Sequence, residues 1–172
     1  MNSNNNTFNV IFLDLYTQYS DSIFRFCFMK TSRREVALDL TQETFTKFWE
    51  YMSSGHEVQE SKALIYRIAT NLVIDYYRKK KSDSLDILTE NGFDFRFEEN
   101  QSIETKFEIE QLHTKIQLLP DKYKDILIMR YVDDMSVKEI AQVYDEQENT
   151  ISVRIHRAIE KLKQTYTTKE HE

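Results

Sequence analysis

Apolar residues recur every three or four positions along most of this chain, which is the spacing of one face of an α-helix. The pattern is clearest from about Ser61 to Lys80, where apolar pairs repeat at steps of four and polar residues occupy another face. The same spacing predicts helices at about residues 8–29, 34–52, 103–119, 121–131, 137–144 and 149–166. The chain should therefore fold as an all-α protein.

Boundary signals organise the second half of the chain. Pro120 cannot continue a helix but suits the first turn of the next one. Ser136 and Glu139 have the spacing of a capping box, which starts a short helix. A break at about 145–148 precedes a longer helix with polar and basic residues off its apolar stripe. This arrangement indicates a DNA-binding helix-turn-helix, although an ordinary helical hairpin with a solvated face has the same pattern.

Composition removes several functional classes. The 172 residues include only two glycines and one proline, which excludes glycine-rich phosphate-binding loops and disfavours sheets. The single cysteine, Cys27, lies among phenylalanines and is expected in a core. The four histidines are widely spaced, and no nucleophile has a base beside it. We expect no catalytic residue, no metal and no cofactor.

Charge is unevenly distributed along the chain. The net charge is −6, yet residues 82–104 alone hold seven acidic residues and one basic residue. Residues 82–102 also lack a helical period, which predicts an acidic linker between domains at 1–81 and 103–172. No leader-like segment opens the chain and no apolar run approaches the length of a membrane span. A cytoplasmic protein without membrane insertion is expected.

The polar face of the third predicted helix is a candidate binding surface. Asn71, Asp75 and Arg78 share this face and lie next to Tyr76 and Tyr77. Aromatic rings stack on unpaired bases while polar groups bond to the exposed base edges, so the combination suits single-stranded DNA. An ordinary solvated helix face has a similar composition, so this pattern alone leaves both interpretations open.

Three segments carry a resemblance to a known family. They are DLTQETFTKFWE at 39–50, YRIATNLVIDYYRKKK at 66–81 and LPDKYKDILIMRYVDDMSVKEIA at 119–141. In sequence, order and spacing they resemble extracytoplasmic-function (ECF, group IV) sigma factors of the sigma-70 family. The resemblance implies two small helical domains: region 2, a bundle of three or four helices, and region 4, which contains the helix-turn-helix. It also implies a protein that binds core RNA polymerase and promoter DNA and directs transcription initiation.

The resemblance assigns roles within the first domain. The segment 39–49 is expected to dock on the clamp helices of the polymerase largest subunit. The helix 67–78, with the loop 53–60, is expected to melt the −10 element and to capture a flipped base of the non-template strand. The polymerase-binding candidates are Asp39, Gln42, Glu43, Phe45, Phe48 and Trp49. The −10 DNA-binding candidates are Arg67, Asn71, Asp75, Tyr76, Arg78 and Lys79.

In the second domain, the resemblance implies contact with the flap region of the polymerase and with the −35 element. Short polar side chains would reach base edges, and Arg or Lys would contact phosphates. The −35 DNA-binding candidates are Asn149, Thr150, Ser152, Val153, Arg154, His156, Arg157 and Lys161. The linker is expected either to thread into the basic RNA exit path of the polymerase or to serve as a plain tether.

The turn of the helix-turn-helix departs from the family pattern of leucine, glycine, an aliphatic residue and serine. The corresponding residues are Tyr144, Asp145, Glu146 and Gln147. Without glycine, Asp145 must itself adopt a positive φ, and without serine a helix N-cap is lost. Glu146 and Glu148 also place negative charge where DNA phosphates should approach. These changes predict weak −35 reading, assisted by another DNA-binding or nucleic-acid-guided protein, and an anti-sigma factor is a further candidate partner.

Two other classes of protein fit the sequence less well. A free-standing helix-turn-helix regulator would bind duplex operators as a dimer, but it has no use for the polar face of Asn71, Asp75 and Arg78. An enzyme is disfavoured by the missing glycine loops, metal spacing and nucleophile.

Overall fold

The chain forms two compact helical units. A computed structural model describes residues 3–83 and 103–167, with side chains described at 8–80 and 110–166. In this part of the chain there are α-helices and one π-helical segment, and no strand. The α-helices are α1 (Ser3–Thr31), α2 (Arg34–Ser53), α3 (Ser61–Asp83), α4 (Ile103–Gln117), α5 (Asp121–Leu127), α6 (Val137–Tyr144) and α7 (Glu148–Thr167). Unit 1 is built on α1–α3 and unit 2 on α4–α7. The predicted all-α fold with two helical domains is confirmed.

Aromatic side chains hold the helices of unit 1 together. On α1, the Phe12 ring centroid lies 6.3 Å from that of Phe48 and 4.9 Å from that of Trp49, both on α2. Nearer the end of α1, Phe26 packs edge-on against Tyr66 of α3, with centroids 5.7 Å apart. Edge-to-face aromatic pairs at such distances stabilise a core beyond the area they bury. Both α2 and α3 are therefore anchored on α1.

The periodicity of the sequence correctly identified the buried face of α3. Ile65, Ala69 and Val73 of α3 are almost completely buried, as their spacing predicted. Cys27 is fully buried in α1, which confirms its expected place in the core.

Several helix ends differ from the predicted ones. α1 begins at Ser3, five residues before the first apolar residue of its stripe, and α3 continues to Asp83. Ser82 and Asp83 were predicted to belong to the linker, but they extend α3 because a polar end can continue a helix whose apolar face has already ended. The rest of the predicted linker, 84–102, lies outside the described residues.

The helix predicted at 121–131 changes type before it ends. α5 stops at Leu127, and residues Ile128–Val132 form a π-helix. In this segment the amide of Asp133 donates to the carbonyl of Ile128 at 3.1 Å, five residues back. The wider turn brings Met135 to a fully buried position, where its amide donates to the carbonyl of Met129 at 2.9 Å. A π-segment is a local insertion, so a 3.6-residue apolar period could not predict it.

The core of unit 2 joins α5 and α7. One cluster of this core contains the buried residues Leu119, Tyr123, Leu127 and Ala158, against which Ile159 and Leu162 pack. α6 is held at its start by the predicted capping box. The amide of Glu139 donates to Ser136 Oγ at 3.1 Å, and the amide of Ser136 donates to Glu139 Oε2 at 2.7 Å. Both bonds satisfy amides that a helix start leaves without partners.

Candidate nucleic-acid and polymerase interfaces

The polar face of α3 is accessible on unit 1. Arg67, Asn71 and Arg78 are exposed, and Asp75 is half-buried. Arg78 Nη2 lies 3.0 Å from Asp75 Oδ1, and the two side chains are 75% and 46% exposed. An ion pair this open contributes little to stability because solvent screens it. The Arg78 guanidinium can therefore exchange this carboxylate for a nucleic-acid partner at small cost.

Two tyrosines flank this polar face and differ in their surroundings. The ring centroids of Tyr76 and Tyr77 lie 5.2 Å apart. The Tyr77 hydroxyl donates to the backbone carbonyl of Lys30 at 2.5 Å, which ties α3 to the end of α1. Tyr76 is half-buried and lines a groove between α2 and α3. The Tyr77 hydroxyl therefore has a structural role, although the side chain is partly exposed.

The loop between α2 and α3 is exposed over most of its length. Gly55 has φ +84°, a conformation that side chains rarely adopt. Next to it, the His56 ring stacks on Tyr51 with centroids 4.5 Å apart, and His56 Nδ1 lies 2.6 Å from Ser54 Oγ. These contacts fix the conformation of the first half of the loop 53–60, which is the predicted melting loop.

On α2, the predicted polymerase-binding residues fall into two groups. Asp39, Gln42 and Glu43 are exposed, and Glu43 lies 3.8 Å from the Lys47 ammonium. Trp49 is half-buried, with its ring 4.6 Å from that of Phe8.

Phe45 and Phe48 occupy a different place from the one predicted. They are 2% and 0% exposed, and the Phe45 ring lies 4.8 Å from that of Tyr16 on α1. Side chains without accessible surface cannot contact a partner directly in this conformation, so both belong to the core of unit 1. The resemblance implies an interface role for both, whereas the apolar spacing of α2 places them on its apolar side, and this side packs against α1.

The groove between α2 and α3 brings the two predicted sites of unit 1 together. It has a volume of about 350 Å³. Its lining residues are Val36, Asp39, Leu40, Glu43, Lys47, Leu72, Asp75, Tyr76 and Lys79. Polymerase-binding candidates and −10 candidates therefore share one concave surface, which their separation in sequence did not reveal.

In unit 2, α6 and α7 form the helix-turn-helix. The α7 candidates Asn149, Thr150, Ser152, Val153, His156, Arg157 and Lys161 are all exposed. Two of them contact other side chains of the protein. His156 Nε2 lies 3.3 Å from Glu160 Oε1, and the Lys161 ammonium lies 5.9 Å from the centroid of the Tyr123 ring. Only Arg154 among the candidates is half-buried.

The turn between α6 and α7 replaces glycine without losing its geometry. Asp145 has φ 55° and ψ 44°, in the left-handed region, and ends α6. The amide of Glu146 donates to the carbonyl of Ala141 at 3.0 Å, which satisfies a carbonyl at the helix end. Aspartate tolerates this conformation better than most side chains do. The positive-φ turn is therefore kept, because Asp145 itself adopts the left-handed conformation that glycine would otherwise supply.

Replacing Asp145 with alanine is expected to destabilise the α6–α7 turn by about 1 kcal/mol, because alanine is strained at positive φ. Hydrogen exchange of the α6 and α7 amides would measure the change. Asp145→Gly is the matched control, and it should leave protection close to that of the wild type. Equal protection in both variants would contradict this account of the turn.

A cluster that the sequence did not predict lies beside this turn. We call Asp125, Tyr144, Glu146 and Arg154 the turn cluster. Glu146 Oε2 accepts a hydrogen bond from Arg154 Nη2, and the Arg154 guanidinium lies 5.6 Å from the centroid of the Tyr144 ring. The Tyr144 hydroxyl lies 3.5 Å from Asp125 Oδ2. Burial, and then the charge of Asp125, raise the pKa of Tyr144 above its usual range, so it remains a neutral phenol.

The described residues contain no candidate metal-ligand cluster and no candidate membrane span. Nowhere in this part of the chain do three or more His, Cys, Asp or Glu side chains come together as metal ligands would. None of the described helices is both long enough and apolar enough to cross a membrane.

Comparison with known proteins identifies the family. Residues 15–82 match Sigma-70 region 2, and residues 109–162 match Sigma-70, region 4. The chain is 32% identical to the ECF RNA polymerase sigma factor SigW of Bacillus subtilis over 165 residues, covering 88% of this chain and 87% of SigW. This chain is an ECF sigma factor of the sigma-70 family.

Other relatives agree with this assignment. The RNA polymerase sigma factor SigV of Bacillus subtilis is 27% identical, and the match covers 95% of each chain. The solved structure of the sigma factor RpoE from Bartonella quintana, in complex with the anti-sigma factor NepR, superposes with a TM-score of 0.74 at 19% identity. That match covers 91% of this chain and 96% of RpoE, and it supports the fold.

As an ECF sigma factor, the protein directs transcription initiation. The region 2 match includes α2 and all but the last residue of α3, and the region 4 match includes α6 and most of α7. The alternative of a free-standing helix-turn-helix regulator is not favoured, because such a regulator does not account for region 2. Sigma factors in general are not enzymes.

Proposed function

We propose that unit 1 of this sigma factor docks on core RNA polymerase through the exposed acidic side of α2 and opens the −10 element along α3. The groove shared by α2 and α3 carries the proposal, since it joins Asp39 and Glu43 to Asp75, Tyr76 and Lys79. Docking would thereby hold the α3 face beside the promoter at the point where strands separate. Phe45 and Phe48 support the surface from the core and are not part of it.

On α3, the bases of the melted strand would meet Asn71, Arg78 and the accessible part of Tyr76. Amide and guanidinium groups bond to base edges, and an aromatic ring stacks on an unpaired base. Arg67 and Lys79 are exposed and suited to phosphates. Capture of an extruded base offsets the cost of unstacking it.

In unit 2, α7 would approach the −35 element with Asn149, Thr150 and Ser152 at its exposed N-terminal end. Val153 and His156 are available for the groove, and Arg157 and Lys161 for phosphates. The acidic turn makes this reading weak, so promoter choice would rely in part on a second DNA-targeting protein. An anti-sigma factor is a second proposed partner, since RpoE was solved in complex with the anti-sigma factor NepR.

We further propose that the chain works in the cytoplasm and leaves RNA synthesis entirely to the polymerase. Pull-down of core RNA polymerase by the full-length chain, followed by run-off transcription, tests the function as a whole. Promoter templates would come from a randomised library transcribed in vitro. Failure to bind core enzyme, or sequence-independent transcription, would count against the proposal.

Charge reversal at Asp39→Lys with Glu43→Lys is expected to weaken core polymerase binding by about tenfold, because like charges at an interface repel. Titration of labelled sigma factor with core enzyme would measure the dissociation constant. Asp14→Lys with Asp21→Lys is the matched control, since both are exposed acids on α1. An equal loss of affinity in both double variants would show that overall charge, and not the acidic side of α2, determines binding.

A further inference from the structure

The turn cluster contains Arg154, the α7 arginine that was a candidate for DNA contact. Arg154 lies in the second turn of α7, yet its side chain is only 23% exposed. Its guanidinium is engaged by the Glu146 carboxylate at 2.5 Å and lies over the Tyr144 ring. In contrast, His156 and Glu160 of α7, whose Nε2 and Oε1 atoms lie 3.3 Å apart, have side chains that are 75% and 58% exposed.

The partners of Arg154 are themselves held in place. Asp145 fixes the turn in the left-handed conformation, so Glu146 follows it at a defined position. The Tyr144 hydroxyl lies near Asp125 of α5, and the ring is mostly buried. Carboxylate and ring therefore form a preorganised receptor for the guanidinium within the protein.

Such a receptor competes directly with a DNA phosphate. Carboxylates and phosphates both bind guanidinium through charge-assisted hydrogen bonds. Moving Arg154 to a phosphate would break a partly buried pair and leave Glu146 negatively charged near the DNA backbone. Both effects oppose DNA binding. The repulsion between Glu146 and the DNA backbone would be absent in family members that have an aliphatic residue at this position.

We propose that Glu146 holds Arg154 away from the DNA backbone and thereby lowers the affinity of α7 for duplex DNA. Glu146 is a positioning residue, because it acts through Arg154. The inference rests on the proposed role of α7 in duplex binding. Because phosphate contacts dominate sequence-independent affinity, the free sigma factor would bind little to DNA in general.

Removal of the Glu146 charge tests this proposal. Full-length wild type and Glu146→Gln would be titrated against a fluorescein-labelled, mixed-sequence 30-base-pair duplex, with binding followed by anisotropy across a range of KCl concentrations. Glu146→Gln is expected to tighten binding by about tenfold, and the slope of log affinity against log salt should steepen by about 0.9, as for one added phosphate contact. A purely structural role for Glu146 would not steepen the salt slope.

Two controls isolate Arg154 as the group released. Glu148→Gln removes an equal charge from an exposed residue two positions along the chain, and it should raise affinity less and leave the slope unchanged. Glu146→Gln with Arg154→Ala should lose the gain. Equal gains in Glu146→Gln and Glu148→Gln, or a gain that persists without Arg154, would overturn the inference alone. Absence of duplex binding by every variant would overturn it together with the proposed role of α7.

Discussion

Replacing Phe48 with alanine is expected to lower the free energy of unfolding of unit 1 by about 3 to 5 kcal/mol. The side chain is fully buried, and its ring packs 6.3 Å from that of Phe12. Small domains are stable by only about 5 to 15 kcal/mol, so this loss would remove a large share of the stability of unit 1. Urea unfolding followed by tryptophan fluorescence reports on this unit selectively, because Trp49 is the only tryptophan of the chain.

Phe48→Leu is the matched control for that experiment. It keeps most of the apolar volume and is expected to cost about 1 kcal/mol. A Phe48→Ala variant that unfolds like the wild type but fails to bind core polymerase would contradict the core assignment. It would instead return Phe48 to the docking surface predicted from the sequence.

Combining Asn71→Ala with Arg78→Ala is expected to slow open-complex formation by about 100-fold, because each lost contact to a base edge costs about 1 to 3 kcal/mol. Permanganate reactivity of unpaired thymines in the −10 element would measure opening over time. The template is a promoter recovered from a randomised library with wild-type holoenzyme. Binding to core polymerase should be unchanged, since the docking residues proposed on α2 are intact.

Asn9→Ala with Arg33→Ala provides the control for this pair. It removes the same two residue types from exposed positions elsewhere in the first 34 residues. Opening at the wild-type rate in the Asn71 and Arg78 variant would show that the α3 face does not contact the melted strand. A loss of opening that accompanies weaker polymerase binding would instead assign these residues to docking.

Much of the fold could be predicted because local rules and tertiary packing agree. The apolar steps of α3 marked Ile65, Ala69 and Val73, and each is buried. The Ser136 and Glu139 spacing marked the start of α6, where both capping hydrogen bonds form. Such signals are local, so a single sequence contains them in full.

Other features depended on contacts between distant parts of the chain. The π-segment Ile128–Val132 and the burial of Met135 beyond it are features that no periodicity records. Whether an apolar residue of α2 faced a core or a partner required the position of α1. The sequence shows that the turn is acidic. The pairing of Glu146 with Arg154 could not be predicted, because it depends on the path that α7 takes relative to the turn.

Burial of Cys27 has a practical consequence for studies of promoter complexes. It is the only cysteine of the chain and has no exposed surface, so thiol reagents should react with it slowly in the folded protein. A cysteine introduced at an exposed α7 position would then be the single site for a dye or a cross-linker. The native background is thus already suited to site-specific labelling, and α7 could be followed during initiation without first removing a natural thiol.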